Sequence, residues 1–191
     1  FFKQKTAYEI RPRDWSSDVC SSDLTRPVDA PLIVPHSDGA GVITAVGAGV
    51  PASRVGERVW IWNGQWQRPL GTASQYIVLA GEQAVALPDG VGDDQAACLG
   101  IPALTALQAI HLSGELAGRT VLVIGAGAAV GHYATQMAKQ AGARVIGTVG
   151  SEARAAHARA AGADELVNYK TESVGERGKT LTQGQGVDVI I

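Results

Sequence analysis

The chain has 191 residues, 46% of them hydrophobic and 18% charged, with 16 basic against 18 acidic side chains and a formal net charge of −2. Such a balance leaves no basic stripe for nucleic acid and no cationic surface for a membrane. No apolar run approaches the roughly 20 residues of a membrane-spanning helix.

The first stretch, "FFKQKTAYEIRPRDWSSDVCSSDL" (residues 1–24), shows neither strand alternation nor helical spacing. It resembles the conceptual translation of the two constant arms of a sequencing adapter, so we read it as artefactual and expect it to pack poorly. A targeting peptide is a worse fit, because there is no apolar h-region and acidic residues are scattered throughout. Setting it aside removes four basic and four acidic residues, and the net charge stays at −2. Cys20 goes with it, leaving Cys98 alone, so residues 25–191 form no disulfide among themselves and a reducing cytoplasm suits them.

Residues 25–99 carry short apolar runs between Gly and Pro: "GVITAVGAGV", "GERVWIW", "ASQYIVL", "AVALP". These predict short strands of a compact β unit. From residue 100 the texture changes. "LTALQAIHLSG" has helical spacing, and then strands and helices alternate: "TVLVIG", "AVGHYATQMAKQAG", "RVIGTVG", "SEARAAHARAAG", "ELVNY". "ESVGERGKTLTQG" reads as a weak helix or loop, and "VDVII" as a strand at the chain end. Near-continuous apolar strands alternating with helices imply a parallel sheet covered on both faces. Since a doubly wound sheet has about six strands, we expect an α/β protein whose second domain, residues 100–191, is truncated, and a fragment without activity of its own.

The most informative stretch is "VLVIGAGAAVGHYA", a strand running through a glycine-rich turn into a helix. Gly125, Gly127 and Gly131 can supply the tight turn, the close backbone approach and the close helix packing of a dinucleotide site. Their spacing, G-x-G-x-x-x-G, is one residue longer than the usual fingerprint. Ala128 and Ala129 are tolerable if they fall in the first helical turn, where alanine is the better helix former. NAD sites place an acid about 20 residues on, at the tip of the second strand. Here that tip reads Val149-Gly150-Ser151, with Arg154 close behind; a hydroxyl and a cation without an acid favour a 2′-phosphate, hence NADP. Glu152 is the residue that complicates this reading.

Across residues 25–191 several ordered motifs, "VPHSDGAGVITAVGAGV", "GTASQYIVL", "LGIPALTALQAI", the glycine-rich βα unit and "AGADELVNY", resemble the zeta-crystallin-like, zinc-independent quinone oxidoreductases of the medium-chain dehydrogenase/reductase superfamily. The resemblance implies a truncated GroES-like β domain (residues 25–99) followed by a truncated Rossmann domain (100–191), NADPH as hydride donor and a homodimer in the full-length protein. By position it implies a pyrophosphate loop of Gly125, Ala126, Gly127, Ala128, Ala129, Val130 and Gly131. It also implies a 2′-phosphate subsite of Ser151, Arg154 and Tyr169, and Thr105 beside the nicotinamide. The superfamily's zinc ligands do not carry over: Ser37 stands at the histidine position of "His36-Ser37-Asp38" and Ile101 at a cysteine position, Cys98 lies three residues away, and no C-x-x-C loop exists. His111, His132 and His157 read as isolated surface or packing residues.

The expected function is therefore NADPH-dependent reduction of quinones or related conjugated carbonyls without a metal, on a small-molecule substrate and with no nucleic-acid or membrane partner. An alkenal or enoyl-thioester double-bond reductase is the nearest alternative, and an NADP-binding sensor or crystallin-like structural protein is the alternative of another class. The family's polar substrate-side residues fall largely upstream of Thr25.

Overall fold

A computed structural model describes residues 2–4 and 30–191. The chain divides into two compact units at Ile101/Pro102.

The first unit is an antiparallel sheet in the order β4-β1-β2-β3-β5, built from β1 (Phe2–Gln4), β2 (Gly39–Ile43), β3 (Arg58–Ile61), β4 (Tyr76–Ile77) and β5 (Ala84–Ala86). Along β3 the side chains alternate, with Val59 and Ile61 fully buried. They meet Ile43, Ile77 and Ala84 in one apolar cluster. A four-residue helix, α1 (Asp93–Ala96), is held to β3 by Arg58, whose Nη2 donates to the Asp93 carboxylate at 2.6 Å and to the Val91 carbonyl at 2.8 Å. The backbone of Phe2–Gln4 pairs with β2 and β4. For the rest of residues 1–24 the expectation of poor packing lies outside the described residues.

A π-helical turn (Leu99–Ala103, containing Pro102) runs across the division and leads into α2 (Leu104–Leu112) of the second unit. Then follow β6 (Thr120–Val123), α3 (Ala129–Gln140), β7 (Arg144–Val149), α4 (Glu152–Ala160), β8 (Glu165–Asn168), α5 (Val174–Leu181) and β9 (Val189–Ile190). The four strands are parallel in the order β8-β7-β6-β9, the arrangement of a doubly wound sheet up to its fourth strand. Val121, Val123, Val145 and Val149 pack with Ala106, Ala134, Ala138, Ala155 and Ala158 in one core; Leu122, Ile146 and Val167 form a second cluster with Val174 and Leu181. Small alanines on α3 and α4 let both helices lie close to the sheet.

The strand order reverses at β6, between β7 on one side and β9 on the other. In open α/β sheets the crevice outside the carboxyl end of the strand at such a switch is where ligands bind. Residues 124–128 occupy that position.

Candidate functional site

The chain leaves β6 through Gly125, whose φ of +69° lies in the left-handed region that glycine enters without penalty. The Gly125 N–H donates to Thr148 Oγ1 at 2.9 Å, the Ala126 N–H to the Thr148 carbonyl at 3.0 Å, and the Ala128 N–H back to the Gly125 carbonyl at 2.8 Å. Gly131 sits directly under this turn: a Cβ there would collide with the Gly125 carbonyl oxygen and come within 2.9 Å of Ala126 Cα. Gly125 and Gly131 thus do what their spacing predicts, one turning the chain and the other letting α3 approach it.

Gly127 differs from expectation. A Cβ at Gly127 would strike the Arg154 carbonyl oxygen and approach Arg154 Cβ to 2.7 Å, so its smallness is demanded by α4 independently of any ligand. In return, Arg154 Nη1 donates to the Gly127 carbonyl at 3.0 Å. Ala128 caps α3 in an extended conformation and Ala129 is its first residue, so both alanines stand where alanine is tolerated. Ala128 offers no side-chain acceptor, so the amides of Ala129, Val130 and Gly131 begin a twelve-residue helix without a side-chain cap. α4 and α5, by contrast, are capped by the hydroxyls of Ser151 and Ser173.

Beside the turn, the parallel register sets Val149 opposite Asn168, which brings the residues just past β7 and β8 together. Ser151 accepts the Arg154 N–H at 3.3 Å as the cap of α4. The Tyr169 ring lies over Gly150, where a Cβ would collide with the phenol oxygen. Glu152 is paired with Arg159 Nη1 at 2.8 Å, with 83% of its side chain exposed. Ser151, Arg154 and Tyr169 therefore gather at one strand tip while the nearby acid is engaged along α4. Thr105 is exposed in the first turn of α2, and among the described residues no hydrogen bond joins it to the glycine turn.

The segment His36-Ser37-Asp38 does not fit a metal. The Asp38 carboxylate accepts the Ile101 N–H at 2.7 Å, and Gly100 is glycine because a Cβ would collide with that same carboxylate. Burial pushes the Asp38 carboxyl above its usual range, against the Ile101 amide and nearby His36, which both favour the charge. The Ser37 carbonyl accepts the Gly64 N–H at 2.8 Å, and the fully buried Thr72 hydroxyl donates to the Asp38 carbonyl. Two residues at zinc-ligand positions, Asp38's neighbour Ser37 and Ile101, are thus tied into a backbone clamp that contains no thiolate. Among the described residues no group of three His, Cys, Asp or Glu is placed to hold an ion.

One sequence expectation is corrected here. His132 and His157 are not isolated: α3 and α4 stack their rings, with centroids 3.9 Å apart and planes 18° from parallel. Thr148, which hydrogen bonding makes central to the turn, was not among the residues the sequence singled out. Within "RVIGTV" it reads as an ordinary β-branched strand former.

A family profile described as Alcohol dehydrogenase GroES-like domain matches residues 6–89, and one described as Zinc-binding dehydrogenase matches residues 129–191. A quinone oxidoreductase of Pseudomonas aeruginosa is 41% identical over 155 residues, covering 81% of this chain and 46% of the relative. A 2-haloacrylate reductase of a Burkholderia species is 34% identical over 166 residues, covering 85% and 49%. Among solved structures, Escherichia coli quinone oxidoreductase complexed with NADPH superposes with a TM-score of 0.75 at 32% identity, covering 87% of this chain and 50% of that one. The chain spans about half the length of these relatives.

Proposed function

We propose that this chain belongs to the medium-chain dehydrogenase/reductase superfamily, among its zinc-independent quinone oxidoreductases, and that the complete protein is an NADPH-dependent reductase of quinones or related conjugated carbonyls; the two family profiles and the similarity to quinone oxidoreductases support this reading. The observation that carries the reading is the turn at the switch of strand order: left-handed Gly125, the close seat of Gly131, and a long helix without a side-chain cap, all beside an acid-free strand tip. The amides of Ala129, Val130 and Gly131 would take the pyrophosphate, helped by the α3 dipole. Ser151, Arg154 and Tyr169 would take the ribose 2′-phosphate: a cation for its charge, a hydroxyl whose proton is left to donate, and a phenol at the rim. When bound, the dihydronicotinamide supplies the hydride for an electron-poor acceptor. The described residues contribute orientation and charge complementarity, the terms on which catalysis without a metal rests.

We further expect the complete protein to act as a homodimer in the cytoplasm; among the described residues no helix is long and apolar enough to cross a membrane. A second reading, reduction of a conjugated carbon–carbon double bond, is favoured by the similarity to a 2-haloacrylate reductase. NADPH oxidation by a full-length protein carrying these residues, compared across a benzoquinone, an alkenal and an enoyl thioester, separates the two. Preference for the quinone supports the first reading and preference for either alkene the second. Tight NADPH binding with no turnover on any of the three replaces both with a sensor.

A further inference from the structure

The geometry points to Thr148 as the positioning residue of the dinucleotide turn, acting through the backbone without touching the ligand; this rests on the cofactor reading above. Thr148 is a hydroxyl in a strand that is buried from its second residue to its last and otherwise apolar over that stretch, with 2% of its surface exposed. Its hydroxyl oxygen accepts the Gly125 N–H at 2.9 Å, its one side-chain hydrogen bond among the described residues, while its carbonyl takes the next amide, that of Ala126, at 3.0 Å. One residue of β7 thus holds two consecutive peptide groups of a turn that begins on β6, and it does so at the left-handed glycine.

The consequence follows from counting donors. Between β6 and α3 the amides of Gly125, Ala126 and Ala128 are all satisfied inside the protein. The first amides of α3 receive no side-chain cap. Fixing those of the turn leaves the first amides of α3 and the Gly127 amide, which has no acceptor among the described residues, as the donors presented to an anion, and fixes their direction before any ligand arrives. Without the hydroxyl the Gly125 amide lacks its acceptor, and the turn can rotate to find another. Preorganised amides of this kind give affinity by lowering the cost of ordering on binding.

Thr148→Val keeps the shape and removes the acceptor; Thr148→Ser keeps the acceptor. The 191-residue chain is titrated calorimetrically with adenosine 2′,5′-bisphosphate, and amide hydrogen exchange is followed in the same samples without ligand. The expected result is roughly tenfold weaker binding by T148V, with T148S close to the parent. Gly125 and Ala126 should exchange roughly tenfold faster in T148V alone, while β6 and β7 core amides stay unchanged. Parent-like exchange at Gly125 and Ala126 in T148V overturns the inference, as does undiminished affinity. A parent chain that fails to bind the probe removes the cofactor reading, while the exchange comparison still decides whether Thr148 holds the turn.

Discussion

At the scale of single residues, the turn after β6 shows two glycines required for different reasons. Gly131 yields to the backbone of the turn itself, whereas Gly127 yields to Arg154 of the next helix. The spacing made both positions visible, but it could not show that a helix residue 27 positions away occupies the space beside Gly127. The same blindness covers Thr135. It is fully buried on α3, and among the described residues its hydroxyl has no hydrogen-bond partner. Burying an unsatisfied hydroxyl costs about 1–3 kcal/mol, so Thr135→Val should raise stability by about 1 kcal/mol in urea denaturation. A loss of stability would mean that the hydroxyl is satisfied in solution. In the sequence Ser151 and Arg154 stand out as a hydroxyl and a cation at an acid-free strand tip, whereas Tyr169 enters only through the family resemblance; its closeness to Gly150 is a contact between two strand ends that sequence spacing does not show. Thr148 was not legible, because its importance lies in one contact across strands.

At the scale of elements, α5 is the instructive case. Its sequence, "VGERGKTL", predicts a weak helix or loop because it holds two glycines, yet it forms a regular helix capped by Ser173. Tertiary packing overrides the propensity: Val174 and Leu181 reach the cluster of Leu122, Ile146 and Val167. Neither Gly175 nor Gly178 has any atom within 4 Å of a would-be Cβ. Gly175→Ala and Gly178→Ala should therefore each add about 0.5–1 kcal/mol of stability, with more helical signal in far-UV circular dichroism. Apart from α5 the α/β half was legible, because buried parallel strands are continuous apolar runs and its helices are followed closely by glycines. In the first unit the apolar runs overstated the strands: "GVITAVGAGV" contributes only its first three residues, 41–43, to β2, with its last residues in a turn. α1 went unread, since four residues carry no period and its anchor, Arg58, lies 35 positions away.

At the scale of the whole molecule, stability against pH sums groups of opposite sign. Burial, followed by the stacked His157, lowers the His132 pKa from 6.5, so the folded state favours the neutral ring. Its contribution is present above the unfolded value and is lost as pH falls below about 6.5 through the folded one. Asp164 acts in the same direction at lower pH. Burial opposes its charge, but the Lys139 ammonium and the Val145 N–H outweigh it and hold the carboxyl below 3.8, so that contribution is lost only beneath the ordinary carboxylate range. Asp38, raised by burial, works the other way, costing stability as pH rises above 3.8. His132→Gln should therefore lose less melting temperature than the parent between pH 7 and pH 5, and an identical loss would mean that burial of His132 does not couple its protonation to unfolding. The central claim, that the turn after β6 and the tip of β7 form a site for an adenosine 2′-phosphate, is tested most directly by calorimetric titration of this chain with adenosine 2′,5′-bisphosphate and with 5′-AMP. The bisphosphate should bind roughly tenfold more tightly, and Arg154→Ala should remove most of that difference. Equal affinity for the two, unchanged by R154A, would contradict the claim.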